Sequence, residues 1–171
     1  MLKPKVKQAI NDQINAEIWS AYMYLSMSTY FTTQGLTGFA NWMRIQWQEE
    51  ISHAMKFFDY MVERGEQPIL MPIAAVPNKW KSALNVMQET LKHEQKVTAL
   101  VNNIMDVAIE EKDHATKSML QWFIDEQVEE EANAQAIIDD LKLVDGNGHG
   151  MLLLDRELKT RVFVDATKTA E

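Results

Sequence analysis

Residues 66–81 read Glu66-Gln67-Pro68-Ile69-Leu70-Met71-Pro72-Ile73-Ala74-Ala75-Val76-Pro77-Asn78-Lys79-Trp80-Lys81, and three prolines so close together keep the stretch out of any helix interior. On either side apolar residues recur every three or four positions, with glycine and proline scarce, so the flanks read as long helices. Upstream, a second helix spans about 37–64, with Thr37 as its N-cap and Gly65 as its stop. A first helix spans about 5–33. Downstream, a third spans about 82–110, and a fourth runs from an N-cap at Asp113 to about 144. Short turns make each flanking pair antiparallel. The proline stretch is different, since at full extension it reaches roughly 50 Å, whereas a helix of about 28 residues is roughly 42 Å long. It can return the length of the bundle, which predicts a crossover with the second and third helices parallel. The expected fold is an all-α four-helix bundle in one domain, 1–171. The bundle covers about 5–145, a short fifth helix about 150–160 and a tail 161–171.

The 171 residues are 46% hydrophobic and 25% charged, enough for one full core. A net charge of -8 repels nucleic-acid phosphates and anionic membranes, so neither is an expected partner and cations are. The absence of cysteine excludes disulfide scaffolds, thiolate zinc sites, Fe-S clusters and thiol catalysis. The residues from Met1 to Lys7 lead into no apolar secretory core, and a cytoplasmic location is expected. Residues 18–43 carry no charge, but Ser20, Ser26, Ser28, Thr29, Thr32, Thr33, Gln34 and Gly35 interrupt them, so no membrane span is expected. Such a surface calls for cover by a protein partner or by another copy of the same chain. The face formed by Met151, Leu154 and Leu158 is expected to be buried between subunits as well.

Acid interrupts every apolar stripe. The first helix gives Ile10, Ile14, Glu17, Ala21, Tyr24 and Ser28, and the second Phe39, Met43, Gln46, Glu50, His53, Phe57 and Tyr60. The third gives Leu84, Met87, Leu91, Glu94, Thr98, Val101, Met105 and Ala108, and the fourth Leu120, Phe123, Gln127, Glu130, Ala134, Ile137 and Leu141. Glu17 and His53 are equally far from Gly35 along the chain, as Glu94 and Glu130 are from Lys112. Each pair therefore lies at one level, roughly 27 Å from its turn. A register that lays Glu17 on Glu94 also lays Glu49 on Glu126, Glu50 on Gln127 and His53 on Glu130. Folding one hairpin on the other collects Glu17, Glu50, His53, Glu94, Gln127 and Glu130 in one layer.

Four carboxylates packed together cannot all stay ionised without cations. Carboxylates with one imidazole and no thiolate suit iron or manganese. Glu50 and His53 can share one ion while Glu50 bridges to a second held by Glu94 and Glu130, the established pattern of dimetal carboxylate bundles. Tyr24, on the same face as Glu17, is either a hydrogen-bonded core tyrosine or an electron donor. Glu49, Glu126 and Glu129 stand about 100° round their helices at the same level, as a solvated acidic face or a third cation site. His93, His114 and His149 read as surface histidines, and Trp122 is the tryptophan nearest the layer.

With these residues in place the whole chain resembles the bacterial non-haem ferritins. The resemblance implies a first ferroxidase iron site at Glu17, Glu50 and His53, with Glu50 bridging to a second of Glu94 and Glu130, and Gln127 alongside. It implies a third iron site at Glu49, Glu126 and Glu129 that shares Glu130, and a tyrosine, Tyr24, beside the diiron centre. Bacterioferritins carry a second Glu-x-x-His where this chain has Gln127-Val128-Glu129-Glu130, and their haem-ligating Met is Ser52 here, so no haem is expected. The family implies a homo-oligomeric hollow shell of twenty-four subunits. Such a shell oxidises Fe(II) with O2 or H2O2 and stores the ferric mineral. The alternatives are a diiron oxidase or peroxidase without storage, and a metal-free scaffold, which the core acids oppose.

Overall fold

The computed structural model describes residues 1–168; the last three positions of the expected tail lie outside the described residues. Five helices follow in order: α1 (Pro4–Thr33), α2 (Thr37–Glu63), α3 (Ala83–Glu110), α4 (His114–Val144) and α5 (Gly148–Leu158). The α1–α2 and α3–α4 pairs form the two hairpins, and α1 packs on α3 between them. Gly35 closes the first turn with φ +76, a conformation that costs glycine least. The proline segment runs back along α1. Asn11 exchanges hydrogen bonds with Ile69, through Nδ2 to its carbonyl (2.7 Å) and Oδ1 from its N–H (2.6 Å). Asn15 donates to the Met71 carbonyl (3.2 Å) and Ser26 to that of Pro77 (2.6 Å). Its register climbs α1 from Asn11 to Ser26, so the crossover delivers α3 parallel to α2. Among the described residues no helix is long and apolar enough to cross a membrane.

Several boundaries differ from expectation, each for a local reason. Asp113 caps α4 as expected, accepting from Thr116 N (3.1 Å), and Ser82, expected inside the third helix, is instead its cap, accepting from Asn85 N (3.1 Å). Thr37 caps nothing: it is the first residue of α2, and Leu36 before it has no side chain to offer. The cap comes from α5 instead. The Asp155 carboxylate accepts from Gly38 N (2.8 Å) and Phe39 N (3.0 Å), the donors that an N-cap side chain ordinarily satisfies. The approach is close enough that a Cβ on Gly38 would lie 1.6 Å from the Asp155 carbonyl oxygen. The α5 face is also corrected: Leu154 is buried in the bundle's own core, with Met151 and Leu158 packed beside it, rather than waiting for another subunit. Leu152 and Leu153 are the exposed leucines of α5. It starts earlier than expected because Asn147 caps it, accepting from His149 N and Gly150 N.

The stripes of α1, α2 and α4 lie buried as expected except for the half-buried Tyr60, but α3 is rotated. Leu84, Leu91 and Thr98 are only half-buried, and Val86, Thr90, Val97 and Ile104 join the core. The hydrophobic interior divides into two clusters. One holds Tyr24, Met27, Phe31, Phe39, Met43 and Met87, and the other Ile10, Ile14, Phe57, Met61, Val101 and Phe123. Between them lies a polar layer.

The trans-cap predicts that Asp155→Ala lowers unfolding stability by about 1–2 kcal/mol in denaturant titration, and that Gly38→Ala, which drives a methyl into backbone, costs more. Equal stability of Gly38→Ala and wild type would show that α5 does not dock there.

Candidate metal centre

The polar layer is built from the middle of four helices. Ligand atoms of Glu17 on α1 and of Glu50 and His53 on α2 all lie within 4.8 Å of one another, and all three residues are buried. Glu94 on α3 and Glu130 on α4 are buried opposite them. The α2–α4 backbones stand farther apart than those within each hairpin, so long side chains bridge them. Phe57 stacks on Phe123 at 3.9 Å between ring centres, and His53 meets Trp122 and Phe123 edge-on at 5.4 and 6.0 Å. That spacing gives the carboxylates room to project between the helices.

Donors hold some of the carboxylate oxygens and leave others. Gln13 donates to Glu17 Oε1 (2.8 Å), Gln46 to Glu130 Oε2 (2.8 Å), Gln127 to Glu94 Oε2 (3.1 Å), and the Tyr24 hydroxyl to Glu94 Oε1. Glu17 Oε2 and Glu50 Oε2 are buried with no hydrogen-bond partner among the described residues. His53 Nδ1 lies 3.8 Å from Glu50 Oε2 and its Nε2 lies 3.9 Å from Glu126, near both acids and bonded to neither. Burial is the first cause that pushes Glu17 and Glu50 well above the usual carboxylate range. Repulsion from Glu50 adds to it at Glu17, and from Glu94 at Glu50. Burial raises Glu94 also, and raises Glu130 from 4.5 to about 8 with Glu94 adding to it. Desolvation, then the charge of Glu94, holds the Tyr24 hydroxyl far above its ordinary value, so it stays a donor. Oxygen-rich, buried and short of donors, the layer fits a hard cation.

The acidic flank is different. Glu49 and Glu126 are half-buried and Glu129 is exposed. Burial raises Glu49 and Glu126, although Arg161 opposes it at both. The structure brings Glu126 toward His53 and gives Glu49 a partner that the sequence reading missed, Arg161, at 2.8 and 3.0 Å. Nothing in the sequence pattern marks a tail residue for this place. Gln13 could have been found, since it lies one turn before Glu17 on the same face; Gln46 stood in the stripe without a role.

Two of the three remaining histidines are exposed as expected, His114 and His149. His93 is not a surface residue. It is half-buried, its Nε2 lies 2.7 Å from Ser20 Oγ, and its ring packs against Trp19 and Tyr24. Burial, then Lys96, lowers its pKa to about 4, so it is neutral at pH 7. The reason is helical phase: with α3 rotated, the flank of Glu94 turns toward α1.

The ferritin-like domain family matches residues 7–144. A bacterial non-heme ferritin of Bacteroides fragilis (strain 638R) is 44% identical over 161 residues, 94% of this chain and 100% of the relative. That of Escherichia coli O6:H1 is 35% identical over 160 residues, 94% and 97% of the two chains. The solved structure of an open pore ferritin from the hyperthermophilic archaeon Archaeoglobus fulgidus superposes with a TM-score of 0.93 at 46% identity. It covers 95% of this chain and 100% of its own.

A carboxyl whose pKa is raised by folding keeps its proton in the folded chain where the unfolded chain has already lost it. Its contribution to stability is therefore present below pH 4.5 and is lost as pH rises to about 8 for Glu130. In chelator, Glu130→Gln should gain in melting temperature relative to wild type between pH 5 and pH 8. A difference that does not change with pH would mean that Glu130 titrates as a solvated acid.

Proposed function

The chain belongs to the ferritin family, and we infer from that membership and from its acid-lined centre that it oxidises Fe(II) and stores the ferric product. The observation that carries this reading is the pair of buried, donorless oxygens, Glu17 Oε2 and Glu50 Oε2, beside His53. A protein that invested only in stability would have put apolar side chains there.

Iron is the substrate. Glu17, Glu50 and His53 take one Fe(II). Glu50 reaches toward a second between Glu94 and Glu130, and Gln127 steadies Glu94 from the side. Gln13 and Gln46 turn the remaining lone pairs of Glu17 and Glu130 inward by fixing one oxygen of each. Tyr24, donating to Glu94, stands within reach as an electron donor. Two ions held at fixed positions in a dry layer present two electrons together to O2 or H2O2, and the protein contributes ligands, position and exclusion of water. Glu49, Glu126 and Glu129, with Glu130 shared, form a third, all-oxygen position. Without a nitrogen ligand it holds iron less tightly and suits transit.

Storage needs an enclosure, and the whole chain acts as one domain of a shell of twenty-four copies in the cytoplasm. The exposed apolar residues Tyr22, Ile69, Leu70, Met71 and Ile73 on α1 and the crossover supply surface for contact between copies.

In air, wild type should oxidise Fe(II) in a fast phase and run as a shell on native mass measurement. His53→Ala and Glu50→Ala should slow that phase by more than about tenfold. Glu126→Ala combined with Glu129→Ala should keep two tight ions per chain but change the oxygen consumed per iron and the later turnover. Undiminished rates in both single variants would remove the diiron assignment, an unchanged double variant the third position alone, and a fast monomer would favour an oxidase without storage.

A further inference from the structure

Arg161 lies just past α5 and is held there from two sides. Asn41 Nδ2 on α2 donates to the carbonyls of Leu158 (3.3 Å) and Arg161 (3.0 Å), and the guanidinium lies over the Trp42 ring, 4.9 Å from its centre. From that position its Nη2 donates to both oxygens of Glu49, at 3.0 and 2.8 Å, and its Nη1 donates to Gln46 Oε1. The Gln46 carbonyl oxygen is thereby engaged, so its amide nitrogen faces Glu130 and donates to Oε2 at 2.8 Å. One planar cation occupies the flank carboxylate and, through one glutamine, orients an acid of the inner layer.

We propose that Arg161 is a latch on the third cation position: its guanidinium neutralises Glu49 until a metal ion displaces it, and so sets how tightly that position binds. The inference rests on the third position proposed above. A charge-assisted pair that takes both oxygens leaves Glu49 poorly able to coordinate a metal, and a divalent ion beside the guanidinium is repelled. Displacement frees Gln46 Oε1, after which the amide no longer has a fixed orientation toward Glu130. Occupation of the flank and the geometry of Glu130 are thus linked, and linkage is reciprocal. The same side chain gives α5 a role at the centre, because Asp155 and Asn41 place the residues that carry it. Arg161 is a positioning residue; it touches no reacting atom.

Zn(II), which is redox-inert, reads the effect without turnover. Calorimetric titration of the assembled protein should show tight sites and one weaker site per chain. Arg161→Ala should tighten the weaker site about tenfold and leave the tight ones nearly unchanged. Arg161→Lys, which keeps the charge but not the fork, should fall between, and is the variant to read if Arg161→Ala fails to assemble. In a Glu49→Gln background Arg161→Ala should tighten the weaker site clearly less, because only the direct repulsion is left to remove. A weaker site appearing only in Arg161→Ala would equally support the latch. An unchanged weaker site in Arg161→Ala, or the same tightening in the Glu49→Gln background, would overturn the latch while leaving the third position standing. Only two ions per chain in wild type and in Arg161→Ala would overturn both.

Discussion

Glu17, Glu50, Glu94 and Glu130 share one cross-section of a four-helix bundle, and taking that much negative charge out of water sets the terms for the rest of the structure. Each buried ion carries a penalty of several kcal/mol, and neighbouring like charges increase it. Three responses are visible. The hydrophobic core divides into two clusters, one on each side of the layer. Four donors, Gln13, Gln46, Gln127 and Tyr24, satisfy one or two oxygens on each of three acids. The acids take protons at pH values where solvated carboxyls have lost them. What these responses leave over is two oxygens and an imidazole aimed at one volume. That remainder is the candidate iron site.

The short helix α5 links the end of the bundle to this layer. Its aspartate replaces a cap that α2 lacks, its leucine and methionine close one hydrophobic cluster, and its C-terminal end is tied to Asn41. A helix of three turns is marginal alone; here its stability comes from docking. Because Gly38 permits backbone contact, α5 sits close enough for the residue past its end to reach Glu49. The start of α2, the position of α5 and the flank of the metal centre are therefore one mechanical unit.

Much of this was legible in the sequence because it depends on period and distance. The proline stretch gave the crossover by its reach, and the acids at equal distance from two turns gave the layer. Glu50 and His53 gave its chemistry, since a spacing of three on a helix puts two side chains on one face. Other features were not legible for equally physical reasons. The cap of α2 comes from Asp155, far along the chain, and a local rule can propose only a local residue such as Thr37. The α3 stripe fixes its phase only loosely, and a small rotation of the helix turns His93 from water toward Ser20. Arg161 lies in a segment without period, where its direction depends on how α5 docks. An apolar face on α5 shows in sequence that cover is needed but not which surface supplies it, and the cover of Met151, Leu154 and Leu158 is the bundle's own core.

Diffraction at the iron absorption edge, from crystals loaded with Fe(II) without oxygen, decides whether the buried acids are an iron site or a relic of packing. Two anomalous peaks per chain inside the bundle are predicted, one against Glu17, Glu50 and His53 and one against Glu50, Glu94 and Glu130. Iron found only on exposed surface acids, with no peak between the four helices, would contradict it.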